Sequence, residues 1–305
     1  MTQNVNQDAT IQDVTLYQRD PKYIPRVAAV HDMCGYGKCS LTAAIPILSA
    51  AGCDVCPVPT ALFSAHTRYR VFTMHDTTDI LDGYLDAWRQ ENVDLDGVYS
   101  GFLGSADQVA IIKRLYREYP HALRLVDPVM GDGGEMYPTY TDQLCQAMGD
   151  LVDGADVLMP NLTEASFLLG IQTPESLTRA QAVDMLNALH EITPGDAVIT
   201  SAALSDFPDS VCTIARDEQG AFAVIAPRLP GHFPGTGDVF TSVLTGALLS
   251  GQNLPQAVCR AAAFVSRCMR DTFSAGTPVR EGVLLEQVLA HLNDAPSGME
   301  TVSIG

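Results

Sequence analysis

The chain has 305 residues, of which 47% are hydrophobic and 18% are charged, and its formal net charge is −18. This length supports one large core or at most two small ones. The negative charge argues against a nucleic-acid or anionic-membrane surface, because both need clustered Lys and Arg. With no long apolar run and no signal-peptide pattern, we predict a cytoplasmic protein with a flexible tail over residues 1–25 and a single domain over residues 26–305.

The first two thirds of the chain alternate between strand-like and helix-like runs. Short β-branched or small-residue runs predict strands over residues 26–31, 53–62, 96–104, 122–129, 155–160 and 196–202. Apolar residues at helical spacing predict helices over residues 40–52, 77–92, 105–119, 161–170 and 178–192. Ser105 is the expected N-cap of the third helix, Gly170 the expected end of the fourth, and Pro46 is expected to kink the first.

The alternation predicts a mostly parallel sheet that is covered by helices on both faces. The runs VCTIARD and GAFAVIAPRL lie close together around Glu218–Gly220, so they predict a hairpin and an antiparallel edge. The chain from Asp238 onward is predicted to be mainly helical. Eight cysteines are expected to be reduced thiols packed as small hydrophobes, and Cys53-x-x-Cys56 lacks the second pair that a zinc site needs.

Polar residues stand where several predicted strands end. Ligands of open parallel sheets bind at the carboxyl ends of the strands, so these residues are candidates for the site. They are Asp32, Asp127, Asn161, Glu164, Thr200 and Ser201.

The stretch Gly235-Thr236-Gly237-Asp238 precedes an apolar helix pattern. The first N–H groups of that helix have no helical acceptors, so they and the helix dipole favour an anion. Glycines let the backbone approach a phosphoryl group, and an ionised Asp238 could take a proton from a hydroxyl. These are the two tasks of phosphoryl transfer. The alternative is that Asp238 is an ordinary N-cap after an ordinary turn.

Seven segments together carry a family resemblance, from about Val27 to about Thr272. They are HDMCGYGKCSLTAA, PTALFSAHT, YSGFLGSADQ, DPVMGDGGEMY, MPNLTEASFLLG, VITSA and PGTGDVFTSVLTGALLSG. The chain resembles the vitamin B6 kinases of the ribokinase superfamily. The resemblance implies a ribokinase-like three-layer α/β sandwich and an ATP-dependent phosphorylation of the 5′-hydroxymethyl group of pyridoxal, pyridoxamine or pyridoxine. It also implies a homodimer.

The resemblance implies roles on the phosphate side of the site. Asp238 would be the base, and Gly235, Thr236 and Gly237 would form the anion hole. Asn161 and Glu164 would organise Mg²⁺, and Asp127 and Asp132 would lie near the phosphates and a monovalent cation such as K⁺. Thr200 and Ser201 would contact the nucleotide. The segment from Gly131 to Tyr137 would be a flap that shields the reaction from water.

On the substrate side, the resemblance implies that His66 and Thr67 bind the ring and that Phe102 lines its pocket. Three positions depart from the common pattern of B6 kinases: Asp32 in place of serine, Ala65 in place of asparagine and Met159 in place of threonine. Because of the first two departures, the sequence does not decide which vitamer is preferred. Because of the third, it does not decide whether a K⁺ site is present. Asp32 would either pair with a protonated ring nitrogen or an amine, or cap the Gly35–Gly37 loop.

Two other functions remain open at this point. A hydroxymethylpyrimidine (phosphate) kinase would use the same G-T-G-D chemistry, although the FSAHT stretch disfavours it. A non-catalytic B6-binding protein would need neither the base nor the metal-organising pair, so the presence of Asp238, Asn161 and Glu164 disfavours that reading.

Overall fold

The computed structural model of the protein describes residues 14–193, 195–231 and 233–305. Most of the predicted flexible tail, residues 1–13, lies outside the described residues. The part of the tail that is described contacts the rest of the chain. The Tyr17 hydroxyl donates to Asp96 Oδ1 at 3.0 Å, and Arg19 donates to the carbonyl of Gly52 at 3.3 Å.

The described residues contain twelve strands. These are β1 (Arg26–Cys34), β2 (Asp54–Phe63), β3 (Met74–Asp76), β4 (Gly97–Ser100), β5 (Leu123–Val126), β6 (Gly131–Asp132), β7 (Glu135–Met136), β8 (Val157–Leu158), β9 (Asp196–Ala202), β10 (Ser210–Asp217), β11 (Gly220–Pro227) and β12 (Glu300–Ser303). Ten of them form one sheet in the order β12-β11-β10-β9-β8-β5-β4-β1-β2-β3, and β6 and β7 form a separate hairpin.

The centre of the sheet is parallel. Strand β1 pairs with β2 on one side and β4 on the other, and the parallel pairing continues through β5, β8 and β9. The predicted hairpin of β10 and β11 is antiparallel and forms one edge together with β12, while β3 makes a second antiparallel edge. The predicted mostly parallel sheet with an antiparallel edge is confirmed.

Helices cover both faces of the sheet among the described residues. They are α1 (Leu41–Ala50), α2 (Thr78–Gln90), α3 (Ala106–Glu118), α4 (Asp142–Val152), α5 (Leu162–Leu169), α6 (Arg179–Ile192), α7 (Thr236–Leu249), α8 (Leu254–Ala275) and the short α9 (Leu285–Val288). One buried cluster joins α1, α7 and α8 to one face, and a second joins α2 to α6 to the other. Three layers result, as the resemblance implied. None of the described helices is long and apolar enough to cross a membrane.

Two local expectations concern α1 and α3. Helix α1 continues through Pro46 to Ala50, and the kink expected at this proline stays a prediction. Ser105 is the N-cap of α3, as predicted, and has an extended backbone, but its side chain makes no capping hydrogen bond. Its hydroxyl lies 2.9 Å from the hydroxyl of Thr78 and so ties α3 to the start of α2 instead. The eight cysteines are free thiols, as expected.

Candidate active site

The first candidate, Asp32, lies inside β1 and not after it. Strand β1 extends to Cys34, and its pairing with β2 shifts register between His31 and Met33. A bulge of this kind re-aims a side chain near a site. Asp32 is 6% exposed, and burial raises its pKa to about 7, an effect that the neighbouring Asp238 carboxylate reinforces and the Ser40 hydroxyl opposes.

Asp238 lies in the first turn of α7, beside Asp32. Burial raises its pKa to about 6, and the backbone of Ser40 opposes that rise. The carboxylate is therefore still mostly ionised at pH 7 and able to accept a proton. Ser40 thus contacts both acids, and its left-handed backbone (φ 51°) is uncommon for a serine. Sequence reasoning missed Ser40, because only the folded chain brings it between the two carboxylates.

Gly235 is the N-cap of α7 and lies in the left-handed region at φ 83°. A side chain there would overlap the backbone carbonyl of Lys38, so the turn requires glycine for space as well as for conformation. Gly237 differs, because it is exposed and a Cβ on it would meet no atom within 4 Å. The packing therefore does not require glycine at position 237, and the absence of a side chain leaves room for a ligand. The Thr236 hydroxyl donates to the carbonyl of Phe233 at 3.1 Å.

The first N–H groups of α7 precede its helical hydrogen bonds. The first helical hydrogen bond in this turn runs from the Val239 N–H to the Gly235 carbonyl, at 2.9 Å. The N–H groups before Val239 therefore precede the helical ladder. The helix is 14 residues long, and its dipole adds partial positive charge at this end. The role of this turn in binding an anion stays a prediction.

Asn161 and Glu164 form a reciprocal capping box at the start of α5. The Asn161 side chain accepts from the Glu164 N–H at 3.0 Å, and a Glu164 oxygen accepts from the Asn161 N–H at 2.8 Å. The other Glu164 oxygen accepts from the Met130 N–H at 3.0 Å, and Asn161 donates to the Gly131 carbonyl at 2.8 Å. This pair therefore joins α5 to the segment that follows Asp127. An N-x-x-E pattern before an apolar run is itself a capping signal, which sequence reasoning overlooked.

Asp127 lies behind Asp238 and beside Glu164. It follows β5, and its N–H donates to the Ser100 carbonyl at 2.8 Å. Burial, Glu164 and Asp238 together raise the pKa of Asp127 well above its usual range, and burial raises the pKa of Glu164 to about 8. No Lys or Arg of the described chain is among the principal groups that shift these pKa values. The one nearby lysine, Lys38, pairs with Glu286 at 2.8 Å.

This charge balance is a test of whether Mg²⁺ fits the site. No group of three or more metal-ligating His, Cys, Asp or Glu side chains occurs within the described part of the chain. Magnesium in phosphoryl-transfer sites keeps several waters and takes only one or two carboxylates, with the substrate phosphates as further ligands. The uncompensated carboxylates of Asp127, Glu164 and Asp238 match that donor chemistry, and they would be stabilised by a cation.

The predicted flap is a two-stranded hairpin of β6 and β7 over the start of α5. Gly133 and Gly134 form its turn at positive φ, and the Gly134 N–H donates to the Thr163 hydroxyl at 2.9 Å. Asp132 accepts from the Gly133 N–H at 2.8 Å. Tyr137 ends the hairpin, and the pKa of its hydroxyl is raised by burial and by the carboxylates of Glu164, Asp132, Asp238 and Asp127. The hairpin therefore adjoins the acidic site.

The remaining candidates lie on two sides of these carboxylates. Thr200 forms a bridge with Asn161, and Ser201 is exposed with a left-handed backbone (φ 57°). Phe102 packs edge-on between Phe63 and Tyr140, at ring centroid distances of 5.5 and 5.6 Å.

His66 is held by the chain itself. Its Nδ1 accepts from the Arg68 N–H at 3.3 Å, which leaves a neutral ring whose Nε2 donates to the Arg280 carbonyl at 2.8 Å. The ring also lies 4.6 Å from that of Tyr69. Both ring nitrogens of His66 are thus hydrogen-bonded within the chain. The neighbouring Thr67 is half-buried. A role of His66 in ring binding stays a prediction.

The described features are N–H groups without helical acceptors at the start of α7, a carboxylate in its first turn and further acidic residues at the sheet edge. They are typical of one class of protein: a phosphotransferase built on an α/β sandwich. A family model described as phosphomethylpyrimidine kinase matches residues 39–281. The chain belongs to this kinase family, and its resemblance to the B6 kinases is confirmed by the relatives it matches.

One relative and two solved structures are especially similar. The pyridoxine/pyridoxal/pyridoxamine kinase of Bordetella avium is 34% identical over 245 residues, which cover 76% of this chain and 80% of that protein. A Bacteroides thetaiotaomicron protein named as a candidate phosphomethylpyrimidine kinase, crystallised with pyridoxal, is 38% identical with a TM-score of 0.87, covering 92% of this chain and 100% of that one. Pyridoxal kinase from Lactobacillus plantarum is 29% identical with a TM-score of 0.83, covering 88% and 97%.

The two glycines of the turn provide a first test of the structure. Gly235→Ala should destabilise the fold by about 2 kcal/mol or more, because it combines overlap with the Lys38 carbonyl and an unfavourable backbone. Gly237→Ala should leave the melting temperature unchanged or slightly raised, since its Cβ meets open space in a helical backbone. Thermal unfolding of both variants measures the difference. Equal melting temperatures would contradict the close contact at Gly235.

The buried Asp32 carboxyl provides a second test, in ligand-free protein with EDTA. Its folded pKa of about 7 exceeds the usual 3.8, so the folded state holds the proton more tightly and loses stability as the pH rises from about 4 to 7. Asp32→Asn has no proton to lose. It should therefore be more stable than wild type at pH 8, by on the order of 4 kcal/mol, with the gain vanishing near pH 4.

Denaturant unfolding at pH 4 and pH 8 measures this dependence. Asp150→Asn, which removes an exposed carboxylate, controls for the general effect of reducing the negative charge. A gain for Asp32→Asn that is the same at both pH values, or no larger than that of the control, would show that the pKa of Asp32 is not raised.

Proposed function

We propose that this protein is an ATP-dependent kinase that phosphorylates the 5′-hydroxymethyl group of a vitamin B6 vitamer. The observation that carries the proposal is the position of Asp238 in the first turn of α7, half-buried beside other carboxyl groups and next to amides that precede the helical ladder. Its membership of the kinase family and its 34% identity with a pyridoxine/pyridoxal/pyridoxamine kinase support the substrate class. The catalytic unit is taken to be the single domain of residues 26–305.

In the proposed reaction, the Asp238 carboxylate accepts the proton of the substrate hydroxyl. The hydroxyl oxygen then forms a bond to the γ-phosphorus of ATP, the bond between that phosphorus and the β–γ bridging oxygen breaks, and ADP leaves. The amides of Gly235, Thr236 and Gly237 would donate to the transferring phosphoryl oxygens. The exposed, uncrowded backbone at Gly237 supports this role, because no side chain shields it.

The remaining candidate residues have supporting roles in the proposal. Bound Mg²⁺ would neutralise charge on the nucleotide phosphates. Asp127 and Glu164 would hold it, largely through water, since both Glu164 oxygens already accept backbone N–H groups. Asn161 would fix Glu164. Asp132 and Tyr137 would close the phosphate side of the site, and Thr200 and Ser201 would contact the nucleotide.

The substrate ring would lie between Asp32 and the His66 region. Asp32 adjoins Asp238, so a group that binds Asp32 is close to the base. This proximity favours the interpretation that Asp32 pairs with a ring nitrogen or an amine, which would make it a determinant of vitamer preference. Thr67 and Phe102 would complete the pocket. A homodimer and a K⁺ site stay predictions.

A panel assay tests the proposal against its alternatives. Purified protein is incubated with Mg²⁺ and ATP, together with pyridoxal, pyridoxamine, pyridoxine or hydroxymethylpyrimidine, and ADP formation is measured. Turnover of a B6 vitamer supports the proposal. Turnover of the pyrimidine alone would assign the protein to thiamine synthesis, and pyridoxal binding with no turnover of any compound would indicate a binding protein.

Asp238→Asn is expected to lower kcat by about 10²- to 10⁴-fold, because it removes the general base while keeping the shape of the side chain. KM for the vitamer should change little, since the proton is transferred only in the reaction step. Steady-state kinetics measure both constants, and the melting temperature confirms that the variant is folded. A kcat within a factor of a few of wild type would show that Asp238 is not the base.

A further inference from the structure

A buried tyrosine hydroxyl lies directly behind the acidic site. Tyr99 is on β4, between β1 and β5, and is fully buried. Its ring meets the ring of His31 edge-on at a centroid distance of 4.3 Å. The His31 ring in turn packs closely against Gly101, and a side chain at position 101 would overlap this ring. The Tyr99 ring is thus held on this side, and its hydroxyl points toward α7.

The Tyr99 hydroxyl is hydrogen-bonded to the hydroxyl of Thr241, in the second turn of α7. Thr241 is 2% exposed, and its Oγ1 lies 3.3 Å from Asp127 Oδ2 and 3.0 Å from the Gly237 carbonyl oxygen. One oxygen atom therefore contacts groups from β4, from the residue that follows β5 and from the first turn of α7. Since a buried tyrosine hydroxyl usually finds an acceptor, these contacts also satisfy Tyr99.

The two hydroxyls of Tyr99 and Thr241 have only two protons to donate to these acceptors. Each hydroxyl has one proton, so when Tyr99 donates to Thr241, the Thr241 proton remains for Asp127 or for the Gly237 carbonyl. Thr241 is therefore the side chain that links the Tyr99 hydroxyl to the Asp127 carboxyl group.

We propose that Tyr99 and Thr241 are positioning residues of the phosphoryl-transfer site. Their hydroxyl chain holds Asp127 and the first turn of α7 at a fixed separation, so that the carboxylate of Asp127 and the base Asp238 face the same transferring group. Neither hydroxyl touches the reacting atoms. This inference rests on the proposed function, because it assigns the two residues to the kinase reaction.

Thr241→Val tests the proposal by replacing the hydroxyl with a methyl group in a β-branched side chain. We expect kcat to fall about tenfold, with KM for pyridoxal and for ATP within about twofold of wild type, because misplacement of a reacting group lowers the rate more than ground-state binding. Thr241→Ser, which keeps the hydroxyl, should recover most of the loss. Tyr99→Phe should lower kcat less, since Thr241 then keeps its contact with Asp127.

Thr245→Val is the matched control. Thr245 is also fully buried on α7, one turn further along, and its hydroxyl has no hydrogen-bond partner in the described structure. Its removal should leave kcat unchanged. If Thr245→Val and Thr241→Val lower kcat equally, or if Thr241→Ser fails to rescue, the positioning role is refuted.

The double variant Tyr99→Phe/Thr241→Val separates positioning from stability. Thr241→Val alone leaves the buried Tyr99 hydroxyl unpaired and should lower the melting temperature, whereas removing both hydroxyls restores a matched apolar contact. We expect the double variant to regain stability while its kcat stays as low as that of Thr241→Val. A kcat that recovers together with stability would refute the proposal.

Assays of the wild-type protein and of Thr241→Val distinguish failure of the proposed function from failure of the positioning role. If the wild-type protein phosphorylates no B6 vitamer, the proposed function fails and the assignment of Tyr99 and Thr241 fails with it. If wild type turns over and Thr241→Val has normal kcat, only the positioning role fails.

Discussion

The site is organised around four acidic side chains that lie close together and are wholly or partly withdrawn from water. Asp32, Asp127, Glu164 and Asp238 meet at the carboxyl edge of the sheet, and burial raises the pKa of each one. Burying such groups costs stability unless they are paired. Backbone N–H groups and hydroxyls offset part of this cost, but no Lys or Arg is among the principal partners. A substrate complex that brings cations to this edge would complete the electrostatics of the fold.

The fold keeps these acids together through close backbone contacts. The loop after β1 packs under the start of α7 so tightly that only glycine fits at position 235, opposite the Lys38 carbonyl. On the other side, the Asn161–Glu164 capping box fixes α5 to the segment after Asp127. Both contacts involve main-chain atoms, which move little. The relative positions of the base, the anion-binding turn and the acidic residues thus depend on the packing of whole elements.

Much of the architecture could be predicted from local patterns. The alternation of apolar runs indicated the parallel sheet and its two helical layers, and the VCTIARD–GAFAVIAPRL pair indicated the antiparallel edge. Strands β3 and β12 were missed because three or four residues carry too little periodicity to predict a strand. The extension of β1 to Cys34 was missed because Asp32 interrupts its apolar pattern, and the bulge there depends on pairing with β2.

The turn and helix start at Gly235 to Asp238 were predictable, because the motif itself carries the local signal. The site was less predictable where a role depends on contacts between distant segments. Lys38 stands in a glycine loop, yet its ammonium group pairs with Glu286, 248 residues away. Tyr99 and Thr241 look like ordinary residues of a buried strand and a core helix, and only the folded chain brings their hydroxyls together beside Asp127. The same limit applies to Ser40, which contacts both Asp32 and Asp238.

In the proposed function, the site transfers a phosphoryl group to the hydroxymethyl oxygen of a B6 vitamer. The most direct test is to identify the product of the wild-type protein with pyridoxal, ATP and Mg²⁺ by mass spectrometry and phosphorus NMR. We expect one ADP formed for each pyridoxal consumed, with the new phosphate ester on the 5′ oxygen. ADP formation without a phosphorylated vitamer, or pyridoxal recovered unchanged, would contradict the proposed function.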